Sequence, residues 1–381
     1  MSHASSHTHK YKEERGRVLA SEMAASISLS FSTSGIDEDV SSELVILGCT
    51  EACEKMQLVA DILLLQSTPP PSLADYNDKQ QPSALQPVPK GNESYGKSRD
   101  AIVANTKGLA ISIKELTHHL NKQSFGGVHK VVHTIAKQVI ILIEAATHAA
   151  YLTSLTDIRC KPATPGTVDR YQFECARQAI HMCYEKFKPQ YETFHSRDQI
   201  LNISRILADN IALLTQGCKQ ASENKRVSGS DRAQFANCIQ CLQGVTATFL
   251  ESLKALALSH SEENCKRCLL FGKPLLTAVD TITEFAKFPQ FGGTPAILTQ
   301  RGFESQTEIL GGAMAVVSST VQLLGAAKTI VEEETSASCW QKFANCSKAV
   351  AEASKLLSSS IREQTPMPSR RPSAGQTEPF F

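Results

Sequence analysis

The chain has 381 residues, with 39 Lys or Arg against 38 Asp or Glu and a formal net charge of +1. Because a single core stops growing at roughly 250–300 residues, this length predicts two compact modules. The neutral balance and an aromatic content of 6% argue against general nucleic-acid binding, for which a basic face with interleaved aromatic residues is typical.

Apolar residues recur at helical spacing in nine stretches of the sequence. Ile200, Ile203, Leu207 and Ile211 step by three or four, as one face of a helix requires. No stretch alternates with the period of two that a half-buried strand needs, so we predict an all-α fold. The predicted helices cover, in chain order, about 40–66, 95–122, 126–157, 167–188, 196–221, 229–260, 263–288, 299–333 and 335–363.

The segments between and beyond these helices are polar or rich in proline. Residues 1–39 and 366–381 are predicted to be disordered tails, and 68–94 a disordered loop. The sequence starts without a basic-then-apolar signal, so we expect a cytoplasmic protein whose 12 cysteines stay reduced. The most apolar run, 139–143, is far shorter than the roughly 20 residues of a spanning helix, so no transmembrane segment is predicted.

Two segments rich in Pro and Gly, 161–166 and 289–295, divide the helices into groups. Three helices precede the first segment and two follow the second. We therefore predict a discontinuous five-helix bundle, 40–162 plus 295–365, with a four-helix bundle, 163–294, inserted into it. The alternative, two consecutive bundles divided near residue 230, has no Pro/Gly boundary between its halves.

Two motifs have metal-ligand spacing, but other features of each favour an ordinary structural role. Cys238-x-x-Cys241 and Cys265-x-x-Cys268 have the spacing of a zinc ribbon, but both lie in periodic helices, where Cys acts as a small hydrophobic residue. His129 and His133 have the spacing of a metalloprotease helix, but Lys130 occupies the place of its glutamate. We predict no catalytic residues, no cofactor and no bound metal; a zinc or redox protein built on the CxxC pairs is the competing class.

The seventh predicted helix carries an unusually wide apolar arc over residues 268–279. The arc spans roughly 200°, against the roughly 100° that a one-sided surface helix needs. It indicates either burial between neighbouring helices or a self-association surface. The candidate dimer-interface residues are Phe271, Leu269 and Leu276, and Pro274 is expected to break or kink the helix.

Basic residues gather around the loops of the predicted four-helix bundle. They suit an acidic filament or an anionic lipid surface, or they form an ordinary solvated face. The candidate filament-binding residues are Lys219, Lys225, Arg226, Arg232, Lys254, Lys266 and Arg267.

Five strings of the sequence, in order, resemble the talin rod domain-containing protein 1 family over about 45–365: 55–61, 99–109, 168–171, 289–291 and 309–318. The resemblance implies talin-rod-like bundles, one nested in the other, in a cytoplasmic homodimer that binds and bundles F-actin at actin-rich protrusions such as filopodia. It also implies dimerisation through the four-helix module, where Phe271 has the matching place in a Cys-x-Leu-Phe motif. It assigns no filament contacts to individual residues. The alternative is a monomeric adaptor module that docks amphipathic helices or short motifs of cytoplasmic signalling partners.

Overall fold

The computed structural model describes residues 41–65, 91–157, 159–188, 197–333 and 336–363. The predicted tails, 1–39 and 366–381, and residues 68–90 of the predicted loop lie outside these ranges. The predicted end of that loop at residue 94 is wrong, because the second helix begins at Gly91. Because the helix starts before Tyr95, this residue lies in its second turn. The buried Tyr95 hydroxyl donates a hydrogen bond to the Ile361 carbonyl at 2.6 Å.

The described residues contain nine α-helices and no extended strand, which confirms the all-α fold class. A 3-10 turn, Pro289–Phe291, follows the seventh helix. The helices are α1 Ser42–Leu63, α2 Gly91–Asn121, α3 Phe125–Ser154, α4 Arg170–Glu185, α5 Arg197–Glu223, α6 Gly229–Leu258, α7 Glu262–Ala286, α8 Gln300–Glu332 and α9 Ala337–Glu363.

Polar residues set the starting points of several helices. The side-chain oxygens of Ser41, Asp169, Ser228, Ser261 and Thr299 each accept a hydrogen bond from the backbone N–H three residues later. Such a cap satisfies one of the amide groups left unpaired at a helix start and contributes about 1 kcal/mol. The chain thus marks where α1, α4, α6, α7 and α8 begin.

The described helices form two compact units. The continuous unit, Gly166–Gly292, contains α4 to α7, and we call it the four-helix unit. The five-helix unit combines the described residues of Glu38–Pro165 with those of Gly293–Phe381 and contains α1, α2, α3, α8 and α9. The alternative division near residue 230 is wrong, because α5 and α6, on either side of that position, belong to the same unit.

Each unit has its own packing order. In the five-helix unit, α3 and α8 pack against each other, α1 covers both, α2 packs on α3, and α9 packs on α8. The helices α2 and α9 meet more loosely, on the side away from α1. In the four-helix unit, neighbours along the chain pack in sequence and α4 closes the bundle against α7.

Two segments of the five-helix unit, one before and one after the four-helix unit in the sequence, pair through their backbones. Lys161 pairs with Ile297 and Thr164 with Thr294, both antiparallel. The Thr164 and Thr294 hydroxyls lie 2.6 Å apart. One residue further inside the four-helix unit, the Thr167 N–H donates to the Phe291 carbonyl at 2.9 Å. The chain therefore leaves the five-helix unit and returns to it at neighbouring points.

Two of the described helices, α3 and α8, are long and apolar enough by length and composition to cross a membrane. They are also the central helices of the five-helix unit, and 56% and 50% of their most apolar stretches are buried within the protein. Val132, Val139 and Leu142 of α3, for example, are fully buried. Packing within the bundle therefore accounts for much of the apolar character of both helices.

A buried carboxylate joins α4 to α7. Glu174 accepts from Lys287 Nζ at 2.8 Å and from Arg177 Nε at 2.9 Å, while Asp280 accepts from Arg177 and His181. Burial acts to raise the pKa of the Glu174 carboxyl, but the hydrogen bonds from Lys287 and Arg177 outweigh it, so the pKa is lowered. This network holds the closing helix of the four-helix unit.

We expect Glu174→Gln to destabilise the protein by about 1–3 kcal/mol at pH 7, because Lys287 and Arg177 lose their charged acceptor. A lowered carboxyl pKa stabilises the fold above the unfolded-state value near 4.3 and loses this contribution as the pH falls. The difference between wild type and variant should therefore shrink below about pH 4.3. Urea unfolding of both proteins across pH 3–7 measures it; an equal difference at every pH would contradict the assignment.

We also propose that residues 163–294 fold independently, since α4 to α7 share one core and its ends meet at the Thr167–Phe291 hydrogen bond. The isolated fragment is expected to be highly helical and to melt in one cooperative transition by circular dichroism. A fragment with little helix, or with a broad non-cooperative melt, would contradict independent folding.

Candidate functional surfaces

The apolar arc of α7 is divided between the core and the surface. Cys268, Leu275 and Val279 are buried in the core of the four-helix unit. The three predicted interface residues, Phe271, Leu269 and Leu276, are half-buried and pack against that core. Leu270, which the sequence analysis did not single out, is 61% exposed. The exposed part of the arc is therefore centred on Leu270.

Neighbouring helices fix the orientation of this part of α7. The Tyr184 hydroxyl of α4 donates to the Leu269 carbonyl at 3.0 Å, and burial raises the pKa of that hydroxyl. A Cβ added at Gly272 would lie 2.6 Å from the Tyr184 ring and 3.1 Å from Phe249 of α6. Gly272 thus allows α7 to approach α4 and α6 closely, which leaves Leu270 pointing to the surface.

Pro274 does not end the helix. Of the predicted break or kink, the break is wrong, since α7 continues without interruption from Glu262 to Ala286; the kink stays a prediction. Proline has no N–H, so it cannot donate to the carbonyl four residues earlier, which belongs to Leu270. This segment of the helix is exposed, so water can donate to the Leu270 carbonyl in place of the missing N–H.

The seven candidate basic residues occupy two regions. Lys219, Lys225, Arg226 and Arg232 lie at the α5–α6 connection, and Lys254, Lys266 and Arg267 at the α6–α7 connection. With a rise of about 1.5 Å per residue, Arg232 and Lys254 stand roughly 33 Å apart along α6.

Several of the seven are also engaged or interleaved with acidic residues. Lys266 forms an ion pair with Glu262, and Arg232 is half-buried. Glu251 and Glu263 lie within four residues of Lys254 and Lys266. The structure therefore does not bring the seven residues together into one continuous basic surface.

The two CxxC pairs are also separated. The thiol of Cys268 hydrogen-bonds to Ser252 of α6, which lies 14 residues, or about 21 Å, from Cys238 along that helix. Cys238, Cys265 and Cys268 are buried, whereas Cys241 is exposed. Burial raises the pKa of Cys238 and brings that of Cys268 to about 11. The four thiols cannot surround one ion, and burial keeps Cys238 and Cys268 as thiols within the core.

The histidine pair on α3 is compact. The Nε2 atoms of His129 and His133 lie 3.2 Å apart, with the rings edge to face. Gly48 of α1 packs beside them: a Cβ there would come 2.8 Å from His129 Nδ1. No group of three or more His, Cys, Asp or Glu residues suited to a metal occurs in the described part of the chain.

Comparison with known proteins relates this chain to talin. Residues 168–289, which span α4 to α7, match the family model of the Talin IBS2B domain. The chain is 31% identical to talin of Oscarella pearsei over 281 residues, which are 73% of this chain and 11% of that protein. It is 28% identical to mouse talin-2 over 278 residues, 73% of this chain and 12% of talin-2.

Chicken talin-1 is 27% identical over 274 residues, which are 72% of this chain and 11% of that protein. The chain therefore spans only about a tenth of the length of the curated relatives that it matches. The aligned region is much longer than the four-helix unit, so the similarity extends into the five-helix unit as well.

The packing around Gly272 gives a prediction about stability. In an exposed helix, Gly→Ala stabilises by about 1 kcal/mol, but at Gly272 the added methyl must displace the buried Tyr184 ring. We expect Gly272→Ala to destabilise by about 1–3 kcal/mol. Gly244→Ala on α6 is the matched control, since nothing lies within 4 Å of its added Cβ, and it should stabilise. Denaturant unfolding measures both; equal stabilisation would contradict the close approach.

Proposed function

We propose that this chain, as a member of the talin-rod-like family, is a cytoplasmic, non-catalytic protein that binds and bundles actin filaments as a homodimer. The observation that supports the dimer most directly is the exposed part of the α7 arc. Leu270 is 61% exposed and is flanked by the half-buried Leu269 and Phe271. Contiguous apolar surface on a folded module typically marks an interface.

A second copy of the chain is the proposed partner of this surface. A two-fold interface uses the same patch on both subunits, so the patch must be complementary to itself. An apolar strip such as Leu269–Phe271 can pack against the same strip of a second copy. Leu276 lies about 9 Å beyond Leu270 along the axis of α7 and extends the apolar strip. The carbonyl of Leu270, which Pro274 cannot satisfy, adds a hydrogen-bond acceptor to the same area.

Bundling then follows from having two copies of one filament-binding face. A dimer presents two such faces, and bivalent attachment raises avidity by about 10²–10⁴ over a single contact. The seven basic residues of the four-helix unit are candidates for filament contact by their charge, but they lie in two separate regions and do not form one face. We place the protein at actin-rich protrusions such as filopodia, where parallel filaments are held together.

A monomeric adaptor is the second candidate function. Grooves between bundle helices suit amphipathic helices of signalling partners, and the loosely joined α2 and α9 offer one such groove. The mass of the full chain in solution separates the two proposals: a monomer at micromolar concentration favours the adaptor, and a dimer favours the crosslinker.

We predict that Leu270→Asp gives a folded monomer, because it places a charge in an apolar contact and disturbs no core packing. Phe271→Asp should also prevent dimerisation, but with some loss of stability, since Phe271 packs against the core. Light scattering and circular dichroism measure mass and folding, and low-speed sedimentation with filaments measures bundling.

The matched control is Leu258→Asp, which alters another exposed leucine of the same unit, at the end of α6 and 78% exposed. It should stay dimeric and bundle filaments. A Leu270→Asp protein that remains dimeric would refute the α7 interface.

A further inference from the structure

The five-helix unit has an uneven distribution of charge. Its helix α9 carries the cations Lys342, Lys348, Lys355 and Arg362 against two glutamates, and α2 carries four cations against three acids. On the opposite side, α1 has the acids Glu43, Glu51, Glu54 and Asp61 against the single cation Lys55. Because α1 packs on α3 and α8, away from α2 and α9, the unit has an acidic side and a basic side.

The cations of the basic side are regularly placed. On α2, Lys107 and Lys114 are seven residues apart. On α9, the same spacing of seven separates Lys348 from Lys355 and Lys355 from Arg362. Seven residues return to nearly the same helix face about 10 Å further on. Because Tyr95 at the start of α2 bonds to Ile361 at the end of α9, the helices run antiparallel and their cations form two adjacent rows.

An open groove of about 780 Å³ runs between these rows. Its floor is apolar, formed by Leu109, Ile113 and Val350, and Lys107, Lys114 and Lys355 stand on its rims. The three lysines are exposed, and no ion pair joins them to an acidic residue in the ranges that the structure describes. Ile111 and Leu356, beside the groove, are 58% and 60% exposed. Exposed Glu352 lies between Lys348 and Lys355 along α9, and Glu115 follows Lys114, but neither forms a salt bridge with Lys107, Lys114 or Lys355 among the described residues. The face thus combines an excess of positive charge with accessible apolar surface.

This face differs from the basic candidates of the four-helix unit. Those residues stand at two places roughly 33 Å apart, and Lys266 among them is already paired with Glu262. The α2/α9 cations instead share one side of one unit. A partner with an acidic surface can therefore contact several of them at once.

We propose that the α2/α9 face, defined by Lys107, Lys114, Lys348, Lys355 and Arg362, is the surface through which the protein contacts the acidic surface of the actin filament. This inference rests on the proposed filament binding and assigns it to the five-helix unit, whereas the proposed dimer contact on α7 belongs to the four-helix unit. The cations steer and orient the filament contact, and Ile111 and Leu356 add apolar area once the surfaces meet.

The test is the double variant Lys107→Glu/Lys355→Glu in the full chain, compared by high-speed filament sedimentation with wild type. The matched control is Lys130→Glu/Lys137→Glu, which makes the same charge change at two exposed lysines seven residues apart on α3 of the same unit. We expect the α2/α9 variant to bind filaments at least about tenfold more weakly and the control within about twofold of wild type. Both should keep wild-type helicity and dimer mass.

A third variant, Lys225→Glu/Arg226→Glu, tests the rival face on the four-helix unit. Loss of filament binding in that variant, with the α2/α9 variant unaffected, overturns the inference but leaves the proposed function intact. Equal loss in the α2/α9 variant and its α3 control also overturns it, because only net charge would matter. Loss of self-association in place of filament binding would assign the face to a second copy. If wild type itself does not sediment with filaments, the proposed function fails, and this inference fails with it.

Discussion

The antiparallel pairing of residues 161–164 with 294–297 is the constraint on which the rest of the structure depends. It closes the five-helix unit although the chain departs from it for more than a hundred residues. The four-helix unit has its own core, which includes Phe173, Phe235 and Phe249. Each unit can therefore carry a separate surface without compromising the packing of the other.

Close packing inside the four-helix unit determines which part of α7 reaches the surface. Gly272 brings α7 against Tyr184 and Phe249, and the hydroxyl of Tyr184 fixes the Leu269 carbonyl. The inner side of the apolar arc, with Cys268, Leu275 and Val279, is buried in the core. Leu270 lies about 200° around the helix from Gly272, so it remains exposed however well the core packs. The exposed apolar strip is thus a geometric consequence of the core.

The sequence predicted the helices well because periodicity is a local property: Ile200, Ile203 and Leu207 are buried as their spacing indicates. It also predicted a wide apolar arc on α7, but not that Leu270 is its exposed centre, since this depends on Tyr184, eighty-six residues away. The two adjacent glycines of α8 differ: a Cβ added at Gly312 would lie 3.2 Å from the Leu357 Cα of α9, whereas a Cβ added at Gly311 would meet nothing within 4 Å. Spacing alone could not distinguish these two glycines.

The basic face was missed for a related reason. Lys107 and Lys355 are 248 residues apart, and only the packing order of the bundle places α2 beside α9. Cations that are close along the sequence lie at the loops of the four-helix unit, and these are the candidates that the sequence indicates. Helical cations at seven-residue spacing look like an ordinary solvated face until a second helix places a matching row beside them.

The proposed arrangement separates two kinds of interaction onto two units. An apolar contact at Leu270 draws its free energy from desolvation and is little affected by added salt, whereas exposed lysines lose most of their attraction beyond a Debye length of about 8 Å at physiological ionic strength. Salt should therefore release filaments while the dimer stays intact. If one surface served both purposes, filament release and dimer dissociation would occur together; on separate units, the crosslinker can detach from filaments and rebind them without reassembling.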